Sequence, residues 1–157
     1  EIVRELEELQ WRNGFTPPGD YALTAACRYN ATQTCRAMLP FADLARRDPS
    51  AFGSTPLHSA CFYNSGAVVQ ILVQARASLS IPNTSFRQTP LAVAASRRNW
   101  GCCRVLMDSL ADPLVEDQDG FDVLKVARCR WDNHDGPARA ALTFDAFLDV
   151  VHPIPQG

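Results

Sequence analysis

The sequence predicts an all-α protein in which about four helix–turn–helix units stack in a row. A hexapeptide recurs 34 residues apart, as Thr-Pro-Leu-His-Ser-Ala at 55–60 and Thr-Pro-Leu-Ala-Val-Ala at 89–94. Weaker copies occur in phase at 21–26 and 122–127, and Leu and Ala keep their places in all four. Self-similarity at a fixed period of this size predicts a row of equivalent structural units. A hydrophobic content of 46% provides enough apolar surface for their common core.

Each hexapeptide has the residues of a helix start. Thr55 and Thr89 each stand directly before a proline. A threonine side chain can accept a hydrogen bond from a free backbone N–H at the helix start, and proline suits the first turn. Leu57 and Ala60 are three residues apart, which places them on one face of the helix. The small alanine allows the paired helix to approach closely.

A second helix and a short finger complete each unit. Apolar residues recur in the same phase at 34–39, 68–72 and 102–106, which predicts the second helices. Polar segments at 83–88 and 117–120 then separate one unit from the next. The Asp-Gly pair in the latter favours a tight turn, so we expect short hairpin-like fingers.

The ends of the chain depart from the repeat. We expect this because a terminal unit lacks a neighbour on one side. The predicted organisation is a single domain at 1–151, made of an N-terminal helix or cap at 1–16, repeats at 17–52, 53–86 and 87–119, and a divergent C-terminal repeat at 120–151, followed by an extended tail at 152–157.

The hexapeptide at 55–60 resembles the Thr-Pro-Leu-His-x-Ala motif of the ankyrin repeat. The copy at 89–94 differs from it only at the histidine. The resemblance covers about 19–151 and implies an ankyrin-repeat solenoid with hairpin fingers and atypical capping ends. It also implies a non-catalytic protein-interaction module that binds partners on its concave face. In this family the histidine at the place of His58 forms hydrogen bonds between neighbouring loops.

Composition and motifs exclude several classes of function. The formal net charge is -2 and Lys125 is the only lysine, so no global basic field recruits nucleic acid. No apolar run approaches the ~20 residues of a membrane-spanning helix. No glycine-rich phosphate loop occurs either. We therefore expect no enzymatic activity, no cofactor and no direct membrane span.

Four of the six cysteines share repeat positions. Cys27 and Cys61 hold one repeat position, and Cys35 and Cys103 share another, where the intervening repeat has Val69. A residue type that alternates with valine fills core, and no Cys-x-x-Cys pair suggests a metal site. A thiol sensor or a metal site is the alternative. The full set is Cys27, Cys35, Cys61, Cys102, Cys103 and Cys129.

These thiols also indicate a compartment. Reduced cysteines are typical of an intracellular reducing environment. We expect the cytoplasm by default, with the interior of a mitochondrion or plastid as the alternative.

The acidic residues around Gly120 do not form a calcium loop. With Gly120 as the loop glycine, the first and last ligand positions would be Val115 and Val126, which have no side-chain oxygen. A similar segment at 132–136 fails in the same way. We interpret these acids as turn and cap residues.

The resemblance places the partner-binding surface just before each Thr and just after each Ala of the hexapeptides. Aromatic residues and arginine, the types enriched at interface hot spots, dominate these positions. The alternative is that several of them, above all Phe52 and Phe86, fold back onto adjacent fingers. The candidate binding residues are Arg28, Tyr29, Phe52, Phe62, Tyr63, Phe86, Arg87, Gln88, Arg97, Phe121 and Arg130.

The predicted function is a scaffold or accessory subunit of a larger protein assembly, which binds a protein with an acidic or mixed surface. The alternative is an adaptor or regulatory region of a longer protein. Because the chain begins at Glu1 rather than Met, we expect a processed protein or a piece of a longer one. A stand-alone enzyme or a nucleic-acid binder is disfavoured, because no catalytic constellation is present.

Overall fold

A computed structural model describes the backbone of residues 18–126, with side chains from Leu23 onward except that of Ser50. The predicted N-terminal cap at 1–16, the tail at 152–157 and most of the divergent repeat at 120–151 lie outside the described residues. The repeat boundaries stay a prediction.

Three helix pairs follow one another in the described part of the chain. First helices pack on first helices and second helices on second helices, so the pairs stack in a row, as predicted. Short 3₁₀ turns at Leu39–Phe41 and Pro49–Ala51 follow the first pair, and residues 123–126 begin a further helix. The pairs are α1 (Pro18–Tyr29) with α2 (Thr32–Met38), α3 (Pro56–Phe62) with α4 (Gly66–Gln74), and α5 (Pro90–Ser96) with α6 (Trp100–Asp108).

The hexapeptides at 55–60 and 89–94 begin helices by the predicted mechanism, whereas the copy at 21–26 lies inside α1. The Thr89 hydroxyl accepts a hydrogen bond from the backbone N–H of Ala92 at 3.3 Å. Asp122 performs the same role in the next copy, where its carboxylate accepts from the N–H of Lys125 at 2.7 Å. The shared cap position confirms that the weak copy at 122–127 is in phase with the strong ones.

The recurrent Leu and Ala form the centre of the core. Leu57 is 1% exposed and Leu91 is fully buried, and the alanines three residues later, Ala60 and Ala94, are fully buried beside them. Leu124 differs, since it is only half-buried and packs against the edge of the core. The core is thus continuous along the row, as expected of a solenoid whose units cannot bury their apolar faces alone.

The described cysteines belong to this core. Cys35 and Cys103 are fully buried, and so is Val69 at the equivalent place between them. Cys27 and Cys61 are also fully buried. Their interpretation as packing residues is confirmed for these positions, whereas Cys129 lies outside the described residues.

Polar side chains connect one helix pair to the next. Asn30, in a left-handed conformation with φ of 53°, accepts a hydrogen bond from the N–H of Val68 in the first turn of α4. In the following pair, the Asn99 amide donates to the carbonyl of Cys61 at 2.6 Å. These side chains satisfy backbone groups that helix termini leave unpaired, so they fix how the pairs stack.

Fingers project between the pairs. The first is closed by a hydrogen bond from the N–H of Asp48 to the carbonyl of Ser54, and the second by one from Asn83 to Gln88, both at 2.8 Å. In the third, the Asp117 carboxylate accepts from the N–H of Phe121 at 3.0 Å. This carboxylate therefore holds a turn, as the sequence predicted.

Candidate functional site

A groove of about 640 Å³ lies between the fingers and the exposed sides of the first helices. It is within the usual size range of ligand pockets. Seven of the eleven candidate binding residues line it, namely Arg28, Tyr29, Phe52, Phe62, Tyr63, Phe86 and Gln88.

One side of the groove, the finger wall, is formed by the tips of the first two fingers around Phe52 and Phe86. The two aromatic rings pack against each other with centroids 5.5 Å apart. They nevertheless remain 58% and 41% exposed. The two rings therefore pack on each other across adjacent fingers, as the alternative proposed. They also present apolar surface to the groove, which the alternative did not include.

Backbone hydrogen bonds lock the finger tips to one another. The carbonyl of Phe52 accepts from the N–H of Thr84 at 3.1 Å, and the carbonyl of Phe86 accepts from the N–H of Gln118 at 3.0 Å. The Thr84 hydroxyl also donates to the carbonyl of Phe52, at 3.1 Å. Gly53 allows this approach, since its φ is 66° and an added Cβ would collide with the Thr84 side chain.

His58 joins α3 to the finger wall. Its Nδ1 accepts from the backbone N–H of Thr55 at 3.1 Å, which leaves the ring proton on Nε2 to donate to the carbonyl of Gln88 at 2.9 Å. Burial lowers the pKa of His58 to about 4, so the ring is neutral at physiological pH. The loop-to-loop role that the resemblance implied for this histidine is confirmed.

The other side, the helix wall, lies at the ends of the first helices. Arg28, Phe62 and Tyr63 line the groove there, and Arg97 adjoins them through its contact with Phe62. The Arg28 guanidinium lies 5.1 Å from the Tyr63 ring centroid, and its Nη2 donates to the Tyr63 hydroxyl at 3.0 Å. Arg97 lies 4.2 Å above the Phe62 ring. Phe62 and Tyr63 meet edge to face at 5.1 Å. The four side chains thus form one continuous arginine–aromatic row.

The repeat phase explains this row. Arg28 and Phe62 are 34 residues apart, and so are Tyr63 and Arg97. Each arginine contacts the aromatic residue 35 positions away, in the neighbouring pair. The contact joins residues 35 positions apart, one more than the repeat period. It therefore depends on the repeat spacing and also on the lateral shift between stacked helices. The sequence supplied the spacing alone.

Both arginines of the helix wall lack an anionic partner in the described part of the chain. The ion pairs seen there involve Arg104 with Asp108, and Lys125 with Glu116 and Asp122. A stacked guanidinium can still bind a carboxylate through N–H groups at its edge, although one N–H of Arg28 already donates to Tyr63. The helix wall therefore presents two positioned cations that form no ion pair within residues 23–126.

Three other candidates do not line the groove. Arg87 is exposed on the second finger, and Phe121 is 38% exposed on the third. Arg97 reaches the site through its contact with Phe62. Arg130 lies outside the described residues.

Sequence reasoning missed the floor of the groove. Ala25, Ser59 and Val93 line it at intervals of 34 residues, and their small side chains leave room above the helices. Ser96 lines it at the repeat position of Phe62. The phase of the hexapeptides could have identified all four. Asp48 also lines the groove, from the finger side, and no pattern in the sequence indicated that.

The described thiols are poorly suited to nucleophilic chemistry. Burial raises the pKa of Cys27 and of Cys103 to about 12, and that of Cys102 to about 11. The thiolate, which is the reactive form, is therefore scarce at neutral pH. Within residues 18–126, no group of three or more His, Cys, Asp or Glu side chains is arranged to hold a metal ion.

Comparison with known proteins identifies the repeat. The family model described as ankyrin repeats (3 copies) matches residues 1–83, more than half of the chain. The chain belongs to the ankyrin-repeat family. Such repeats form protein-interaction modules and are generally non-catalytic. The pair α5–α6 lies beyond the matched segment and continues the same architecture.

A curated relative shares part of this ankyrin stack. Over 80 residues, 50% of this chain, the sequence is 35% identical to alpha-latrotoxin-Lhe1a of Latrodectus hesperus. The match spans only 6% of that protein's length. It supports the repeat architecture and adds nothing about a specific partner. Among the described helices, none has the length and apolar character needed to cross a membrane.

Proposed function

We propose that this ankyrin stack is a scaffold or accessory subunit of a larger protein assembly, which holds its partner in the groove between the finger wall and the helix wall. The supporting observation is the exposed arginine–aromatic row formed by Arg28, Tyr63, Phe62 and Arg97. Aromatic residues and arginine dominate the binding energy of protein interfaces. Several exposed aromatics around one groove are also a solubility liability unless a partner covers them.

The rigidity of the groove supports the same function. The finger tips are fixed by backbone hydrogen bonds and the helices by a continuous core. A partner that binds such a surface does not have to order it, so little conformational entropy is lost on this side of the interface.

The test is partner capture with a matched pair of variants of the full chain. Phe62→Ala/Tyr63→Ala/Arg97→Ala removes most of the helix wall. Its control, Arg36→Ala/Gln70→Ala/Arg104→Ala, removes three exposed side chains at one repeat position of the second helices. Proteins captured from native extract are identified by mass spectrometry at graded salt. We expect the first variant to lose its partners and the control to keep them, with thermal midpoints close to that of the parent.

Partner capture by the helix-wall variant at the parental level would refute the groove as the binding surface. The salt series separates two modes of binding. A stoichiometric set of partners that survives high salt indicates a permanent subunit with an apolar interface. Partners that dissociate as salt rises indicate a transient, arginine-steered contact.

An adaptor or regulatory region of a longer protein is the second candidate. It is favoured by the match to a segment that makes up 6% of a much longer protein. The length of the native transcript distinguishes the two, because a flanking catalytic or effector domain would support the adaptor.

An intracellular reducing compartment, the cytoplasm or an organelle interior, fits either candidate. The five described cysteines are free thiols buried in the core, which supports this proposal. Fractionation of native cells with detection of this chain tests it, and recovery of the chain in the secreted fraction would contradict it.

A further inference from the structure

We propose that the ligand of the groove is a short acidic segment of the partner that also carries a large apolar side chain. In this arrangement its carboxylates pair with Arg28 and Arg97, and its apolar side chain packs on Phe52 and Phe86. This inference rests on the proposed function and specifies the chemistry of the partner.

The charge of the stack is the first argument. Residues 21–107 contain nine arginines and only two acids, Asp43 and Asp48. No acid occurs between Asp48 and Asp108. The body of the stack is therefore strongly positive although the whole chain has a formal charge of -2. A field of this sign attracts an acidic partner and repels a basic one.

The geometry of the two arginines is the second argument. Each guanidinium is held against an aromatic ring, Arg28 on Tyr63 and Arg97 on Phe62. Stacking uses the face of the guanidinium and leaves N–H groups at its edge, where a carboxylate binds by two parallel hydrogen bonds. Because the rings already restrict these side chains, binding costs them less rotamer entropy than it costs a free surface arginine.

The finger wall supplies the third argument. Phe52 and Phe86 form an apolar surface across the groove from the arginines, and small residues such as Ala25 and Ser59 open the floor between them. A segment with carboxylates on one side and an apolar side chain on the other is complementary to both walls.

The third finger limits the ligand to a short segment. The segment from Asp108 through Asp122 contains six acids and no cation, and the third finger is hydrogen-bonded directly to the tip of the second. A long polyanion such as a nucleic acid that followed the arginines along the stack would meet this acidic end. An acidic peptide segment fits within the basic part alone.

The experiment is a selection from a random peptide library displayed against the immobilised full chain. Sequencing gives the residue composition of the selected peptides relative to the input library. One selected peptide is then synthesised with a fluorescent label, together with a version in which every Asp and Glu is replaced by Asn or Gln. Fluorescence anisotropy measures the affinity of both peptides.

Two charge-matched variants localise the binding. Arg28→Gln/Arg97→Gln removes the two stacked arginines, whereas Arg36→Gln/Arg76→Gln removes two exposed arginines outside the helix wall. Both changes lower the charge of the chain equally. Arg28→Lys/Arg97→Lys keeps the positive charge but removes the planar guanidinium groups that can form two parallel hydrogen bonds.

We expect selected peptides to be enriched in Asp, Glu and large apolar residues, and the amide version to bind at least about tenfold more weakly. Arg28→Gln/Arg97→Gln lowers affinity by a similar factor, the lysine variant restores only part of it, and Arg36→Gln/Arg76→Gln leaves affinity within about twofold.

Two results overturn the proposal in distinguishable ways. In the first, the selected peptides are not enriched in acidic residues, and they fail to bind Phe62→Ala/Tyr63→Ala/Arg97→Ala. This result would overturn the acidic ligand and leave the groove as the binding surface. Acidic peptides that bind the parent and Arg28→Gln/Arg97→Gln equally would overturn the role of these arginines. A failure to select any peptide, together with partner capture that survives loss of the helix wall, would remove the proposed function as well.

Discussion

The two walls of the groove are built from residues at equivalent repeat positions, but different forces hold them. The finger wall depends on backbone hydrogen bonds and on a fully enclosed histidine, His58. The helix wall consists of half-exposed side chains that contact each other through stacking and one hydrogen bond. The first is part of the architecture of the stack, and the second is a surface displayed by it.

This difference predicts how substitutions divide between stability and binding. A buried polar group left without its partner costs its full desolvation penalty, whereas an exposed contact exchanges for water at little cost. Changes to the finger wall should therefore lower the free energy of unfolding. Changes to the helix wall should lower affinity and leave stability nearly intact.

The largest expected effect is that of His58→Ala. The substitution removes the partner of the Thr55 N–H, removes one of the two hydrogen bonds to the carbonyl of Gln88, and creates a cavity beneath the finger. We expect the free energy of unfolding to fall by about 2–4 kcal/mol, measured by urea denaturation. A loss below about 0.5 kcal/mol would mean that His58 does not secure the finger wall.

The pH dependence of stability tests the same histidine without altering the sequence. Burial lowers the pKa of His58 from 6.5 to about 4, so the folded state favours the neutral ring. The stabilisation is complete above pH 6.5 and is lost as the pH falls from 6.5 through 4, by roughly 3 kcal/mol. Urea denaturation of the parent and of His58→Gln from pH 7.5 to about 4 isolates this contribution from the carboxylates. If the free energy of unfolding changes with pH in the same way for both proteins, His58 makes no such contribution.

Gly53→Ala should have the next largest effect. It places a Cβ on a residue with φ of 66° and against the side chain of Thr84. We expect a loss of about 2 kcal/mol, composed of backbone strain and displacement of the second finger. In a Thr84→Gly background the collision is absent, so the cost of Gly53→Ala should fall to about 1 kcal/mol. An unchanged cost in that background would attribute the effect to the backbone alone.

The smallest effect on stability is expected from the helix wall. Arg28→Gln removes one hydrogen bond to Tyr63 and one stacking contact, both exposed to solvent. Because water replaces such contacts readily, the urea midpoint of unfolding should stay close to that of the parent. Arg36→Gln, an exposed arginine on α2, serves as the control. A urea midpoint for Arg28→Gln clearly below that of Arg36→Gln would mean that the helix wall also holds the stack together.

Much of the fold could be predicted because each repeat contains the residues that determine its local structure. The hexapeptides contain a cap, a proline, a buried leucine and a small alanine in fixed order, and each of these acts locally or on the adjacent helix. The positions of Leu57, Leu91 and the cysteines in the core follow directly from that phase. The role of His58 followed from the resemblance and is confirmed by its bond to Gln88.

The candidate site was predictable only as a set of positions. Repeat phase indicated which residues face outward, and seven of them do line one groove. It could not indicate that Phe52 and Phe86 pair across two fingers, or that Arg28 stacks on Tyr63. Such contacts depend on how far each helix pair is shifted and rotated relative to the last.

The sequence by itself determined the helix pairs, their order and the residues of the common core, because caps, periodicity and burial operate within one repeat or between neighbours. Only the tertiary structure decided which outward-facing residues meet. Stacking brings residues about 35 positions apart into contact and encloses Asp48 in the same groove as Arg28. The physical reason is that the shape of the groove depends on the shift and rotation between stacked units, which no single repeat encodes.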